Sequence, residues 1–210
     1  MTIKAIVFDM DGVLIDAKEW HYEALNQALR LFGTEISRAD HLTTFDGLPT
    51  KRKLEILSTT EHLPRELHGF LNTLKQSYTM EMVNTRCKPT FIHQYALSSL
   101  KAQGYKLAVA SNSVRLTVEA MMQRSHLMKY LDVLLSNEDV ERAKPAPDIY
   151  NKAMAELGVA PHETLIVEDN EHGLQAARAS GGHVLVVRDV NDVTLANIER
   201  RVAQVTEAAA

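Results

Sequence analysis

The sequence contains a single cysteine, Cys87, so no disulfide can form within the 210-residue chain. A chain with so little cysteine is typical of a reducing compartment. Long apolar runs are also lacking, since no stretch approaches the roughly 20 apolar residues that a membrane helix requires. The apolar run near the start is short and is interrupted by Asp9, as in a strand rather than a signal peptide. We therefore expect a cytoplasmic protein with no membrane partner.

An excess of charge of either sign is absent as well. The formal net charge is -4, and acidic and basic residues are scattered along the chain, so the charge pattern does not favour a nucleic-acid partner. The hydrophobic content of 45% and the charged content of 24% are those of an ordinary globular protein. The length suits one core, alone or with a small inserted domain. We expect a monomer or a weak homodimer.

Strand-like apolar runs alternate with helical patterns over most of the chain. Several of these runs are almost continuously apolar, as expected of strands that are covered on both faces. Glycines end the helical patterns between them, for example Gly104, Gly158 and Gly181. This alternation predicts an α/β fold with a doubly wound parallel sheet. The predicted strands run from Ile3 to Phe8, Lys106 to Ala110, Val133 to Leu135, Thr164 to Val167 and Val184 to Val187.

The segment from about Asp16 to Thr85 interrupts this alternation and contains no convincing strand. Its apolar residues recur every three or four positions, which predicts helices from Lys18 to Phe32 and from Pro64 to Val83. A helical block between the first two strands of a sheet predicts an inserted α-helical cap. We therefore assign residues 16–85 to the cap, and residues 1–15 and 86–210 to the core.

Polar side chains follow the predicted strands at the points where the strands end. Asp9 and Asp11 follow the first strand and, lying two residues apart, can face the same side. Ligands of open parallel sheets bind at the carboxyl ends of the strands, so these polar clusters should converge on one edge. Each residue alone is more often a turn residue or a helix cap, and only the convergence favours a site. The predicted core residues of the site are Asp9, Asp11, Ser111, Asn112, Lys144, Glu168 and Asp169.

This set of residues predicts phosphoryl transfer. A carboxylate such as that of Asp9 can attack phosphorus as a nucleophile, and a divalent cation then suppresses the repulsion between the two anions. Mg²⁺ prefers oxygen ligands, which Asp9, Asp169 and the main-chain carbonyl of Asp11 would supply. Glu168 would lie in this set of ligands or directly behind it. Lys144 would add a positive charge that suits both the phosphoryl oxygens and Asp9.

Two further groups complete the predicted chemistry. Ser111 precedes a helix that we expect to run from Val114, and its hydroxyl with the free N–H groups at the start of that helix would bind an anion. Asp11 would then be free to protonate the leaving oxygen and later to deprotonate the attacking water.

Four motifs carry a resemblance to a known family: Phe8-Asp9-Met10-Asp11-Gly12-Val13-Leu14, Ser111-Asn112, Lys144-Pro145 and Glu168-Asp169. Their order resembles that of the haloacid dehalogenase-like (HAD) hydrolase superfamily over essentially the whole chain. The branch that contains β-phosphoglucomutase and small sugar-phosphate phosphatases is the most similar. The resemblance implies a Rossmann-like core, Asp9 as the nucleophile, Asp11 as the acid/base, Mg²⁺ as the cofactor and a helical cap that closes over the site. Dehalogenases and phosphonatases lack the second aspartate, so Asp11 argues against both.

The cap is the part in which the resemblance is weakest. The mutase has a Gly-x-x-Arg loop that holds the second phosphate of its substrate. The corresponding segment here, Gly47 to Lys53, has Thr50 where the arginine would fall, which favours a phosphatase over a mutase. His21 matches a histidine of the mutase cap. The predicted substrate-binding residues are Asn112, Gly47, Lys51 and His21.

We therefore predict a Mg²⁺-dependent phosphatase that hydrolyses a small phosphorylated metabolite, a sugar or polyol phosphate, through an aspartyl-phosphate intermediate. The alternative within the family is a phosphosugar mutase. The alternative from another class is a catalytically silent binding protein. The pair of Asp9 and Asp11 argues against the last, because binding alone requires neither a nucleophile nor an acid/base.

Overall fold

The computed structural model describes residues 2–208, so the parts of the predicted core that fall on Met1, Ala209 and Ala210 lie outside the described residues. The chain divides into two compact units. The larger unit consists of the chain up to Asp16 and from Cys87 onward, and the smaller unit is Ala17–Arg86. None of the helices within residues 2–208 is both long and apolar enough to span a bilayer.

The larger unit contains a five-stranded parallel sheet in the order β3-β2-β1-β4-β5. This arrangement confirms the predicted α/β fold with a doubly wound parallel sheet. β1 lies in the centre because its residues are apolar and fully buried, as a strand covered on both faces requires. The strands are β1 (Ala5–Phe8), β2 (Lys106–Ala110), β3 (Val133–Leu135), β4 (Thr164–Glu168) and β5 (His183–Val186).

The helices found within residues 2–208 agree in part with the predicted ones. The helix predicted from Pro64 begins at His68, after a short 3-10 turn, and continues to Arg86. The α-helices are α1 (Lys18–Arg30), α2 (Arg38–Asp40), α3 (Thr50–Thr60), α4 (His68–Arg86), α5 (Phe91–Ala102), α6 (Arg115–Arg124), α7 (Asp148–Leu157), α8 (Glu171–Ala179) and α9 (Leu195–Ala208). A π-helical turn spans His41–Phe45, and 3-10 turns span Arg65–Leu67, Met128–Tyr130, Asn137–Asp139, Pro161–Glu163 and Val190–Asp192.

One face of the sheet is covered by α7 and α8. Small and β-branched residues of the central strands, such as Val7, Ala108 and Ile166, form a buried cluster with residues of these two helices. Because side chains alternate along a strand, the other face carries neighbours such as Ile6 and Phe8, which are also fully buried. Because both faces of the sheet are covered, it is the ends of the strands that meet the loops.

The smaller unit is helical and has a core of its own. Leucines of α1, α3 and α4 pack together there, among them Leu25, Leu54 and Leu71. The segment that follows α1 is fixed to it by Asn26, a buried residue whose amide nitrogen donates to the Ile36 carbonyl at 2.9 Å. The Asn26 amide oxygen accepts from the Ile36 N–H at 2.8 Å. The Ile36 carbonyl also accepts from the Tyr22 hydroxyl at 3.2 Å, so of the two main-chain groups it is the N–H that depends on Asn26.

We expect Asn26→Leu to lower the free energy of unfolding by about 1–3 kcal/mol, because it leaves the N–H of Ile36 without its partner and removes one of the two donors to the Ile36 carbonyl. Gln27→Leu is the matched control, since Gln27 is exposed on the same helix. Chemical denaturation of both variants checks the expectation. Equal stability of the two variants would contradict it.

Candidate active site

The sheet order brings the predicted polar clusters to one edge. β1 lies between β2 and β4, so the residues that follow these three strands are neighbours. The N–H of Asp9 donates to the carbonyl of Val167 at 3.0 Å, which continues the β1–β4 pairing past the end of β1. On the other side, the N–H of Ser111 donates to the carbonyl of Leu135 at 3.1 Å. The carboxyl ends of the strands thus position the site.

A buried lysine lies at the centre of this edge. The Nζ atom of Lys144 donates to Asp9 Oδ1 at 2.6 Å and to Glu168 Oε1 at 2.7 Å. Only 3% of Lys144 is exposed, and both carboxylates are buried. Burial alone would lower the pKa of Lys144, but the charges of Asp9 and Glu168 outweigh it and raise this pKa, so the ammonium stays charged. The structure therefore brings Asp9, Lys144 and Glu168 into direct contact.

The electrostatics of Asp9 reflect a local surplus of carboxylates. Burial raises the pKa of Asp9 well above its ordinary value. Lys144 acts in the opposite direction, whereas the carboxylates of Glu168, Asp169 and Asp11 raise this pKa further. A bound cation would offset this surplus of negative charge.

Glu168 is fixed by contacts on both of its oxygens. The phenol of Tyr150, on α7, donates to Glu168 Oε1 at 2.6 Å, and the N–H of Asp169 donates to Oε2 at 2.9 Å. Tyr150 is fully buried, and burial raises the pKa of its phenol, which therefore remains a donor. Sequence reasoning gave Tyr150 no role.

Gly173 provides the space in which Glu168 lies. A Cβ atom added at Gly173 would lie 1.8 Å from Glu168 Oε1. Gly173 is in the first turn of α8, and its N–H donates to the Asn170 side chain at 3.0 Å, which caps this helix. The glycine is thus required by close approach of a carboxylate, a role that sequence reasoning did not identify.

Asp11 lies in a tight turn directly after β1. The N–H groups of Leu14 and Ile15 both donate to the carbonyl of Met10 at 2.9 Å, which folds the chain back on itself. The hydroxyl of Ser113 donates to Asp11 Oδ2 at 2.8 Å. Ser113 is therefore a further residue of the site that sequence reasoning missed.

Asn112 binds the main chain of Lys144. Its amide nitrogen donates to the Lys144 carbonyl at 3.3 Å, and its amide oxygen accepts from the Lys144 N–H at 3.0 Å. These two bonds favour a role in positioning Lys144 over the predicted direct contact with phosphate.

One N–H group of the anion site predicted at the start of the next helix is paired with a carboxylate. α6 begins at Arg115, and its first N–H group donates to Glu138 Oε2 at 2.9 Å, so it is not free as predicted. The Arg115 guanidinium also pairs with Asp139 at 2.5 Å. Ser111 itself is buried, and its hydroxyl accepts from the N–H of Ser113 at 3.0 Å. Glu138 therefore takes one of the N–H groups assigned to the anion, and the role of Ser111 stays a prediction.

The donor set fits a hard divalent cation. Among the described residues, Asp9, Glu168 and Asp169 each offer one carboxylate oxygen, and these oxygens lie within 4.8 Å of one another. Oxygen donors of this kind are the ligands that Mg²⁺ prefers. The side chain of Asp11 is not part of this group. For Asp11, the prediction concerned the main-chain carbonyl.

The remaining predicted residues lie in the smaller unit. The Nδ1 atom of His21, on α1, lies 3.1 Å from the Nζ atom of Lys75 on α4. Gly47 adopts a positive φ of 71° in the turn that precedes α3, a conformation that favours glycine. Lys51 is exposed on α3, whereas Lys53, two residues on, is buried. The substrate-binding role of Lys51 therefore stays a prediction.

This fold, together with this cluster of carboxylates around a lysine, is typical of one class of hydrolases. Residues 6–187 match the family described as haloacid dehalogenase-like hydrolase, and the chain belongs to that family. It is 28% identical over 192 residues to a phosphorylated carbohydrates phosphatase from Thermotoga maritima, covering 90% of this chain and 88% of the relative. It is also 28% identical over 193 residues to a phosphoglycolate phosphatase from Nitrosospira multiformis, covering 89% and 84%.

A solved structure shares the fold. The β-phosphoglucomutase from Clostridium difficile superimposes with a TM-score of 0.85 at 19% identity, covering 98% of this chain and all of that one. This likeness extends across both units of the chain.

We expect Gly173→Ala to impair both stability and hydrolysis, because the added methyl group would displace the Glu168 carboxylate from Lys144 and Tyr150. Gly69→Ala is the matched control, since Gly69 is also helical and a Cβ there meets nothing within 4 Å. The control should be neutral or more stable by up to about 1 kcal/mol. Thermal unfolding and turnover of both variants check this. A Gly173→Ala enzyme as stable and active as the control would contradict it.

Proposed function

We propose that this hydrolase is a Mg²⁺-dependent phosphatase that acts on a small phosphomonoester, a sugar or polyol phosphate, through an aspartyl-phosphate intermediate. The observation that carries the proposal is the buried contact of Lys144 with Asp9 and Glu168 beside Asp169. The names of the Thermotoga and Nitrosospira relatives support a phosphatase that acts on a small phosphorylated compound.

In the first half of the reaction, a carboxylate oxygen of Asp9 attacks phosphorus. The bond between phosphorus and the substrate oxygen breaks, and Asp11 gives its proton to that leaving oxygen. Lys144 stabilises the negative charge that the phosphoryl group brings next to Asp9. The hydrogen bond from Ser113 holds the Asp11 carboxyl in place for the proton transfer.

In the second half, Asp11 accepts a proton from water as the water oxygen attacks phosphorus. The bond between phosphorus and Asp9 breaks, which releases inorganic phosphate and restores both carboxyl groups. The same residue serves first as an acid and then as a base, as the reversal of the proton transfer requires.

Asp9, Asp169 and the main-chain carbonyl of Asp11 would hold the Mg²⁺ ion. Glu168 would act from behind, because one of its oxygens is held by Lys144 and Tyr150 and the other by the N–H of Asp169. When bound, the ion neutralises charge between the nucleophile and the phosphoryl group.

Two further expectations remain predictions. They are that the protein lies in the cytoplasm and that it is a monomer or a weak homodimer.

A phosphosugar mutase is the alternative within this fold. It would differ in its product, an isomerised sugar phosphate, and in its dependence on a bisphosphate primer. Thr50, at the place of the mutase arginine, favours hydrolysis. Analysis of the products from a sugar phosphate, with and without a bisphosphate, separates the two reactions.

We expect Asp9→Asn to reduce phosphate release from a panel of sugar and polyol phosphates to background, because an amide is not a nucleophile toward phosphorus. Asp189→Asn, which removes a carboxylate at an exposed position, should retain turnover. Phosphate assays on the purified proteins check this. Turnover by Asp9→Asn comparable to that of the control would rule out the proposed nucleophile.

We expect chelation with EDTA to abolish turnover and added Mg²⁺ to restore it, because the cluster around Asp9 has more carboxylates than cations. Calorimetry gives a second readout. The wild type should bind Mg²⁺, and Asp169→Asn should bind it at least about tenfold more weakly, as expected when a ligating carboxylate is removed. Full activity in the presence of excess EDTA would contradict the metal dependence.

A further inference from the structure

The phenol of Tyr150 and the ammonium group of Lys144 donate to the same oxygen atom. Glu168 Oε1 accepts from Lys144 Nζ at 2.7 Å and from the Tyr150 hydroxyl at 2.6 Å. The Lys144 Nζ atom also lies 4.7 Å from the centroid of the Tyr150 ring, within the range of a cation–π contact. Tyr150 therefore contacts Lys144 through its ring and contacts the partner of that lysine through its hydroxyl.

Water has little access to these contacts. Tyr150 and Glu168 are 0% exposed, and both oxygens of the Glu168 carboxylate are engaged. In such an environment each hydrogen bond acts on its neighbours more strongly than it would in water. The N–H of Asp169 holds the other oxygen, Oε2, at 2.9 Å and so restrains the orientation of the carboxylate. A change at Oε1 is therefore taken up by the remaining donor at that atom.

The hydroxyl of Tyr150 is the part of this side chain that core packing does not require. α7 begins at Asp148, four residues after Lys144, and buries Ile149 and Tyr150 in the cluster that covers the sheet. A phenylalanine ring would fill the same space. A buried hydroxyl costs free energy unless it has a partner, and the partner here is Glu168. The presence of the hydroxyl therefore points to an effect on the site.

The ammonium group of Lys144 is divided between two carboxylates, since it also donates to Asp9 Oδ1 at 2.6 Å. By Coulomb's law, a donor that offsets part of the negative charge on an oxygen weakens the attraction of that oxygen for a second donor. The Tyr150 hydroxyl therefore weakens the attraction of Glu168 for Lys144. More of the positive charge of the lysine is then left for Asp9.

We propose that Tyr150 is a positioning residue, whose hydroxyl sets how Lys144 is shared between Glu168 and Asp9. The catalytic consequence rests on the proposed phosphatase function. Without the hydroxyl, Glu168 draws the ammonium group away from Asp9. Less positive charge then faces the phosphoryl group in the transition state, so the chemical step slows.

NMR spectroscopy of the lysine ammonium groups tests the sharing without turnover. The Lys144 signal is assigned through the bonds of its own side chain in protein labelled with ¹³C and ¹⁵N. Tyr150→Phe keeps the ring and removes the hydroxyl, so a change in the signal reports the hydrogen bonds rather than the ring. We expect the Lys144 signal to shift in Tyr150→Phe. It should stay in place in Tyr95→Phe, the matched control, which removes a hydroxyl from an exposed tyrosine of α5.

A second background shows whether Tyr150 acts through Glu168. The sharing requires the negative charge of Glu168, which Glu168→Gln removes. Tyr150→Phe should therefore shift the Lys144 signal less in the Glu168→Gln protein than in the wild type, because the effects of two residues in contact are not additive. A general loosening of the core would instead produce the same shift in both backgrounds.

Steady-state kinetics give the catalytic consequence, at a temperature at which thermal unfolding shows every variant to be folded. In Tyr150→Phe, kcat should fall about tenfold, as loss of a hydrogen bond to a charged group costs. KM should stay within about twofold, because the interaction that is lost acts in the transition state. Tyr95→Phe should match the wild type in both constants.

Three results would overturn the proposal. These are a Lys144 signal that does not move in Tyr150→Phe, an equal shift in the Glu168→Gln background, or a kcat of Tyr150→Phe equal to that of the control. Phosphate release by the wild type is measured separately. The expected shifts in a protein that releases no phosphate would contradict the proposed function and leave the sharing of Lys144 standing, whereas release without the shifts would do the reverse.

Discussion

The site depends on one buried ammonium group held between two carboxylates. Lys144 contacts Asp9 and Glu168 at hydrogen-bond distance, and all three side chains are almost completely removed from solvent. Such a trio is stable only when its geometry is well fixed, because each buried charge loses its hydration. Tyr150 and Gly173 meet this need by holding Glu168 and by leaving room for it. The successive helices α7 and α8 thus both support one contact.

The charges of this cluster do not balance. Two carboxylates face Lys144, and Asp169 and Asp11 add to the negative potential at Asp9. A nucleophilic carboxylate must be ionised to attack, and a phosphoryl group brings further negative charge. The surplus is therefore the physical reason to expect a cation at this edge of the sheet. The oxygen donors of Asp9, Glu168 and Asp169 would suit Mg²⁺.

The convergence of Asp9, Lys144, Glu168 and Asp169 could be predicted from the sequence because parallel strands end at the same edge. The support for Glu168 could not be predicted. Nothing in the pattern around Tyr150 shows that its hydroxyl reaches another strand end, and Gly173 interrupts no periodicity. These contacts depend on how α7 and α8 lie on the sheet, which is set by packing rather than by local sequence.

The pairing of the first N–H group of α6 could not be predicted for a related reason. A serine before a helix usually predicts free N–H groups for an anion, but here Glu138 reaches the first N–H of that helix. Glu138 follows β3, and its arrival depends on β3 lying next to β2 in the sheet order. The competing carboxylate could be recognised only once that order was known.

The two units differ in how far the positions of their candidate site residues follow from the sequence. In the larger unit, the strand ends bring the candidate catalytic groups together, so their convergence follows from the sheet topology. In the smaller unit, the choice between Lys51 and Lys53 depends on where α3 begins and on which leucines it buries. A shift of one residue in that start would turn a different lysine inward. Which lysine turns inward therefore depends on helical phase, which composition and motif order do not determine.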